Sequence, residues 1–140
     1  MIGIILVTHG RLAQEFLAVL EHVVGKQLDM ETVSLFPTDD IELKREEIGE
    51  AIQAVDSGKG VVIVTDMFGG TPSNLAHSWL EGDDIEIIAG MNLPLLIKLV
   101  SVRRTKPLRE AALLAQEAAK KYIQVASHIL KEPHAHSLAS

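Results

Sequence analysis

Short apolar runs alternate along this chain with longer segments of helical spacing. The runs cover residues 2–8, 30–36, 61–65 and 85–89, and a helical pattern or a helix-start signal follows each of them. Continuous apolar runs of this length are typical of parallel strands that helices cover on both sides. The alternation therefore predicts an α/β fold with three layers (α/β/α), in which helices cover both faces of a mainly parallel open sheet.

Apolar stripes, capping residues and prolines indicate the helices. Asp39, with Glu42 three residues later, gives a capping-box-like start to the second helix. Pro72 suits the first turn of the third helix, which we expect to run to about Leu80, because proline has no amide hydrogen to leave unpaired there. A short helix is expected through Val100, and the last long helix begins near residues 106–107. The core-facing stripe of the first helix, residues 11–24, is predicted to be Leu12, Phe16, Leu20 and Val23.

The length of 140 residues fits one domain, which we assign to residues 1–130. Residues 131–140 lack periodicity and are predicted to form a disordered tail. The absence of cysteine excludes disulfides, thiolate metal sites and cysteine nucleophiles.

Charge and hydropathy argue against nucleic-acid and membrane-spanning classes. The formal charge is −6, and the densest basic spot is Arg103-Arg104 with Lys106, which is too small to suggest a nucleic-acid surface. The longest apolar stretches are strand-sized, and no basic segment precedes the first strand. The default location is the cytoplasm, and a peripheral association with membrane partners stays open.

Two side chains that could take part in catalysis follow predicted strands. His9 ends the first strand and Asp66 follows the third, so both are expected at the carboxyl edge of the sheet, where open α/β sheets form their sites. A carboxylate that accepts from one imidazole nitrogen fixes the tautomer and stabilises the positive charge that grows when the other nitrogen attacks. The alternative is that His9 is only a capping or structural residue.

A loop rich in small residues follows Asp66 and enters a helix. Backbone amides in such a loop, together with the positive end of the helix, can bind an anion, and the hydroxyls of Thr71 and Ser73 could add donors. A tight turn with one of these hydroxyls as the N-cap explains the same residues equally well. The chain has neither G-x-G-x-x-G nor G-x-x-x-x-G-K-[ST], so dinucleotide and NTP sites lack support.

The remaining candidates for functional residues are weaker. The other histidines have no metal-ligand spacing, so no metal site is predicted. Met67 and Phe68, between Asp66 and the glycines, could form an exposed apolar docking spot, but packing beneath the loop is the favoured interpretation.

Three segments together resemble the mannose-type EIIA domain of the bacterial phosphoenolpyruvate:sugar phosphotransferase system (PTS). They are Thr8-His9-Gly10, residues 66–74 with the pattern D-x-x-G-G-[ST]-P-x-N, and residues 89–94 with the pattern G-x-N-x-P. The resemblance covers roughly residues 1–130 in element order. The second and third patterns in combination are specific, whereas T-H-G alone is not.

The resemblance implies a phosphocarrier and therefore a phosphotransferase. The active histidine of the family matches His9, whose Nε2 would accept a phosphoryl group from phospho-HPr and pass it to an EIIB partner; the orienting aspartate matches Asp66. No nucleotide, magnesium or other cofactor is implied. The residues that match the phosphate-binding loop of the family are Gly69, Gly70, Thr71 and Ser73, although some relatives carry a bulky apolar residue in place of the last.

The resemblance also implies a homodimer. Some members exchange a short carboxyl-terminal antiparallel strand, and residues 121–127 alternate in a way that makes them a candidate counterpart, although a helical interpretation is equally supported. A stand-alone EIIA would reach a membrane EIIC/EIID permease only through EIIB.

Two other functions remain open from the sequence. A regulatory module of the same lineage would use the phosphorylation state of His9 to control a partner without feeding transport. A flavodoxin-like small-ligand domain would bind its ligand without His9, but the missing nucleotide motifs disfavour it.

Overall fold

The computed structural model describes residues 1–67, 69–80 and 84–130, so the expected tail at 131–140 lies outside the described residues. Strands and helices alternate as predicted, and the predicted strand bounds agree with the observed ones to within one residue. In chain order the described elements are β1 (Gly3–His9), α1 (Leu12–Val24), β2 (Met30–Leu35), α2 (Ile41–Val55), β3 (Val61–Thr65), α3 (Thr71–His77), β4 (Ile85–Ala89), α4 (Leu93–Val102), α5 (Leu108–Lys121) and α6 (Ala126–Leu130).

The four strands form one parallel sheet in the order β2-β1-β3-β4. The chain moves from β1 to β2 on one side and then returns past β1 to β3. The carboxyl ends of β1 and β3 therefore form the point where the winding direction changes, which is where such sheets bind ligands. Val7 of β1 lies opposite Thr65 of β3, so the residues that follow them emerge side by side.

Side chains of the sheet alternate between two apolar cores, which confirms the three-layer α/β/α prediction. Ile4 and Leu6 of β1 pack with α1, α4 and α5, whereas Ile5 and Val7 pack with α2 and α3. The two central strands, β1 and β3, thus bury both of their faces, as expected for parallel strands between two helix layers, whereas every residue of β4 is half-buried. No helix within the described ranges has the length and apolarity needed to cross a membrane.

The predicted stripe of α1 is partly wrong. Leu20 is buried and Phe16 packs against the core, but Leu12 is 43% exposed and Val23 57% exposed. The buried face is rotated toward Ala13, which is fully buried. The small alanine side chain lets the start of α1 approach the sheet closely, and the larger apolar residues beside it are left facing outward.

Three helix boundaries differ from the prediction. The N-cap of α2 is Asp40, whose carboxylate accepts from the Glu42 and Leu43 amides, whereas Asp39 accepts from the Phe36 amide at 2.7 Å. Helix α3 ends at His77, and a turn of i→i−3 hydrogen bonds continues it to the predicted end at Leu80. Helix α4 runs two residues past its predicted end at Val100.

Residues 121–127 form neither one strand nor one helix. Helix α5 ends at Lys121, Tyr122 lies in a turn, and α6 begins at Ala126. The intervening residues 123–125 are irregular and exposed. Exchange of this segment between two copies stays a prediction.

Arg103 is not part of a surface basic spot. It is only 2% exposed, and its guanidinium donates to the carbonyls of Ile2 (2.8 and 3.0 Å), Leu28 (2.9 Å) and Asp29 (2.8 Å), with a longer contact to the Gln27 side chain. Burial lowers the pKa of Arg103 from its ordinary value. The residue ties the end of α4 to the start of β1 and to the α1–β2 loop, at the end of β1 opposite His9.

Candidate active site

The imidazole of His9 and the carboxylate of Asp66 meet at the carboxyl edge of the sheet. His9 Nδ1 lies 2.8 Å from Asp66 Oδ2, and the same oxygen accepts from the His9 backbone amide at 3.1 Å. This contact exists because β1 and β3 are adjacent and parallel, so a residue that ends one strand faces the residue that follows the other. The predicted pairing of these two side chains is thus present in the structure.

The hydrogen bonds of Asp66 set the roles of the two ring nitrogens. Its other oxygen, Oδ1, accepts from the Met67 backbone amide at 3.0 Å, so both oxygens are held by amides. An ionised carboxylate can only accept hydrogen bonds, so in the neutral imidazole Nδ1 carries the proton toward Asp66 and Nε2 has the lone pair. The Asp66 side chain is 12% exposed and that of His9 is 51% exposed, which leaves Nε2 accessible from solvent.

Gly70 lies against the free edge of the imidazole. A Cβ atom at this position would stand 2.8 Å from His9 Cε1 and 3.1 Å from Nε2, which is too close for a normal contact. The backbone of the loop therefore approaches the ring at a distance that glycine permits and a larger residue does not. Gly70 is thus a predicted loop residue at which any side chain would run into the His9 ring.

The other predicted loop residues differ in conformation and burial. Gly69 has φ +90°, a conformation that favours glycine, and Thr71 begins α3 as an exposed residue. Ser73 is 1% exposed, and its Oγ has no hydrogen-bond partner among the residues that the structure describes. Helix α3 has no side-chain N-cap, so the alternative that Thr71 or Ser73 is in the loop only to cap it is wrong.

Three exposed apolar side chains border the site: Leu12 (43%), Phe36 (46%) and Met67 (54%). We call these residues the apolar rim. Leu12 begins α1, Phe36 follows β2, and Met67 follows Asp66, so all three stand at the same edge of the sheet as His9. The favoured expectation that Met67 packs beneath the loop is wrong, because its side chain faces outward; Phe68 lies outside the described residues.

Sequence reasoning missed two residues that organise this edge. Thr8 is fully buried, and its Oγ1 accepts from the Ala13 amide at 2.7 Å. Asn92 caps α4 through the Leu95 amide at 2.9 Å and donates to the Ala119 carbonyl at 3.2 Å. Thr8 belongs to the Thr8-His9-Gly10 segment and Asn92 to the G-x-N-x-P pattern, but only the tertiary structure shows what each of them contacts.

Within the described ranges, no group of three or more acidic or histidine residues could hold a metal ion. The His9–Asp66 pair is a chemical centre that the geometry offers, with the ring nitrogen Nε2 close to a glycine loop.

Comparison with known proteins agrees with this fold. The family model EIIA-man, described as PTS system fructose IIA component, matches residues 3–116. The chain is 30% identical over 107 residues to the PTS system mannose-specific EIIAB component of Escherichia coli K12, which covers 76% of this chain but only 33% of that protein. It is 26% identical over 133 residues to the PTS system fructose-specific EIIA component of Bacillus subtilis, covering 94% and 91% of the two chains.

Among solved structures, the PTS IIA protein associated with the fucose utilization operon of Streptococcus pneumoniae superposes with a TM-score of 0.81. That alignment is 29% identical and covers 91% of this chain and 95% of the other. The chain therefore spans about a third of the Escherichia coli relative and nearly all of the shorter ones. With the family model covering most of its length, the chain belongs to the mannose/fructose EIIA family of the PTS.

Proposed function

We propose that this chain is a phosphocarrier that accepts a phosphoryl group from phospho-HPr on Nε2 of His9 and passes it to an EIIB partner. The observation that carries the proposal is the 2.8 Å contact between His9 Nδ1 and Asp66 Oδ2, which leaves Nε2 as the nucleophile. Membership of the EIIA family supports the same assignment. A location in the cytoplasm, with association at a membrane permease through EIIB, is part of this proposal.

The transfer step is a displacement at phosphorus. The lone pair of His9 Nε2 forms a new P–N bond while the P–N bond to the donor histidine breaks, and the donor nitrogen leaves with that electron pair. The Nδ1 proton of His9 stays on the ring, and Asp66 stabilises the positive charge that the ring gains. Because one P–N bond replaces another, the step is nearly balanced in energy and can run in both directions.

We further propose that the loop of Gly69, Gly70, Thr71 and Ser73 stabilises the phosphoryl oxygens. The close approach of Gly70 to Nε2 supports this, because a group bound to that nitrogen would lie against the loop backbone. The loop also enters a helix without a side-chain N-cap, so its first amides are not satisfied by a capping side chain. Catalysis of phosphoryl transfer depends mainly on such positioning and charge stabilisation.

The apolar rim supports a protein as the phosphoryl donor. Leu12, Phe36 and Met67 expose apolar surface beside a reactive nitrogen, and such surface is typical of protein interaction sites. A protein donor must contact the surroundings of His9 in order to bring its own phosphohistidine within reach of Nε2.

A homodimer is also part of the proposal. Strand β4 ends the sheet, so its outer edge has no strand partner in the described chain. Residues 122–125 are exposed and include Tyr122, Ile123 and Val125, which are between 62% and 73% exposed. Addition of this segment to β4 of a second copy would satisfy the open edge and cover the apolar side chains.

The function is tested by loading the protein with phosphoenolpyruvate, enzyme I and HPr, and then adding EIIB. We expect one acid-labile phosphate on the wild type and on His22→Ala, a control that removes an exposed histidine of α1. His9→Ala should take up none. Label that persists in His9→Ala would contradict the assignment of the site, and label that EIIB cannot remove would favour the regulatory module.

A further inference from the structure

We propose that Thr8 is a positioning residue for phosphoryl transfer at His9. This inference rests on the proposed function and concerns a residue that does not contact the reacting atoms. Thr8 immediately precedes His9 in β1, and its side chain is fully buried on the α1 side of the sheet. Its role follows from the way α1 begins.

Helix α1 begins without a capping side chain of its own. Its N-cap residue is Arg11, whose side chain forms no capping hydrogen bond. The first amides of a helix lack partners within the helix, and a buried amide without an acceptor is costly. The Ala13 amide belongs to this group, and Ala13 is fully buried. Thr8 Oγ1 accepts from that amide at 2.7 Å, so a strand residue supplies the missing cap.

The Thr8–Ala13 hydrogen bond closes the turn that carries the histidine. Within this turn, Gly10 adopts φ +55°, and its amide donates to the Leu35 carbonyl at 2.7 Å. The His9 amide donates to Asp66 Oδ2 at 3.1 Å. The backbone on both sides of His9 is thus fixed, and this fixes the direction in which its side chain leaves the turn.

Loss of the Thr8 hydroxyl would disturb the ring through the backbone. The Ala13 amide would lose its acceptor, and the turn would be free to shift relative to β3. The 2.8 Å contact from Nδ1 to Asp66 and the approach of Nε2 to Gly70 both depend on this alignment. A misplacement of about 1 Å can slow an enzyme by about 10²-fold even when the chemical groups are intact.

The test compares Thr8→Val, which keeps the shape but removes the hydroxyl, with Thr8→Ser, which retains the hydroxyl. With phospho-HPr as the varied substrate, we expect Thr8→Val to lower kcat by about 10- to 100-fold, as loss of an orienting partner commonly does, while KM changes by less than about 2-fold. Thr8→Ser should keep kcat within about 3-fold of the wild type, because the acceptor for Ala13 is still present.

A matched control separates positioning from loss of stability. Asp56→Ala removes a side-chain acceptor of the Gly58 and Gly60 amides in the turn before β3, at the sheet edge opposite His9. It should lower the free energy of unfolding without lowering kcat. If Thr8→Val does not fold, Thr8→Cys serves in its place, because a thiol is a weak acceptor and should lower kcat by several-fold.

Two results would overturn the inference: a folded Thr8→Val or Thr8→Cys variant with wild-type kcat, or an equal loss of kcat in Asp56→Ala. Failure of the proposed function looks different, because the wild type itself would then take up no label at His9.

Discussion

At the scale of single residues, the site depends on one carboxylate with three hydrogen-bond donors. Asp66 accepts from the His9 ring, the His9 amide and the Met67 amide, and these contacts together determine which imidazole nitrogen is free. The sequence was sufficient to predict the His9–Asp66 pair, because the ends of adjacent parallel strands meet at one sheet edge. It was not sufficient to predict the Thr8–Ala13 bond or the lack of room for a side chain at Gly70 beside the ring, which depend on atomic positions across a turn and a loop.

Asp66→Asn is expected to slow phosphoryl uptake while leaving the fold intact. The amide removes the negative charge and replaces one of the two acceptors with a donor, so the ring can adopt the wrong tautomer. We expect kcat to fall by up to about 10⁴-fold, the size of the loss when the carboxylate of a catalytic triad is changed to an amide. The rate of phosphoryl uptake is measured with this protein limiting and phospho-HPr saturating.

The matched control for this prediction is Asp56→Asn. It makes the same chemical change to another carboxylate that accepts from backbone amides, at the opposite sheet edge. Its kcat should equal that of the wild type. An unchanged rate in Asp66→Asn would remove this carboxylate from the mechanism.

At the scale of elements, the strands were predictable to within one residue because their apolar runs are continuous and bounded by turn residues. The errors occurred where neighbouring residues of similar chemistry competed. Asp39 and Asp40 can both cap α2, and burial of Ala13 rotates α1 away from the stripe that the larger side chains suggested. Such choices depend on packing against the sheet, which periodicity does not report.

The role of Arg103 also depends on packing that the sequence pattern does not show. This residue provides a test of how the elements are joined. Its guanidinium holds three backbone carbonyls from two separate segments. Arg103→Met should lower the free energy of unfolding by about 2–4 kcal/mol, because one buried carbonyl and two partly buried carbonyls lose a charged donor at once. Denaturant unfolding with a constant m-value measures this change.

Arg104→Met is the matched control for Arg103→Met, since Arg104 is the exposed neighbour. We expect its unfolding free energy to stay within about 0.5 kcal/mol of the wild type. Equal effects of the two substitutions would contradict the structural role of Arg103. Both variants should still take up phosphate, because Arg103 lies at the end of β1 opposite His9.

At the scale of the whole molecule, the open edge of β4 connects the fold to its proposed assembly. We expect the wild type to sediment as a dimer and the double variant Gln124→Pro/Val125→Pro as a monomer with unchanged helical content. Successive amides of a strand point to opposite sides, so one of the two prolines removes a hydrogen bond to β4 whatever the register. A monomeric wild type, or a variant that remains dimeric, would contradict exchange of this segment.

The central claim is that Nε2 of His9 carries the phosphoryl group while Nδ1 keeps its proton beside Asp66. Nitrogen-15 NMR of the ring in the protein loaded through phospho-HPr tests this claim most directly. The account predicts phosphorus coupling at Nε2 of His9 and a proton on Nδ1. Coupling at Nδ1, or phosphate on another histidine while the His9 ring is unchanged, would contradict it.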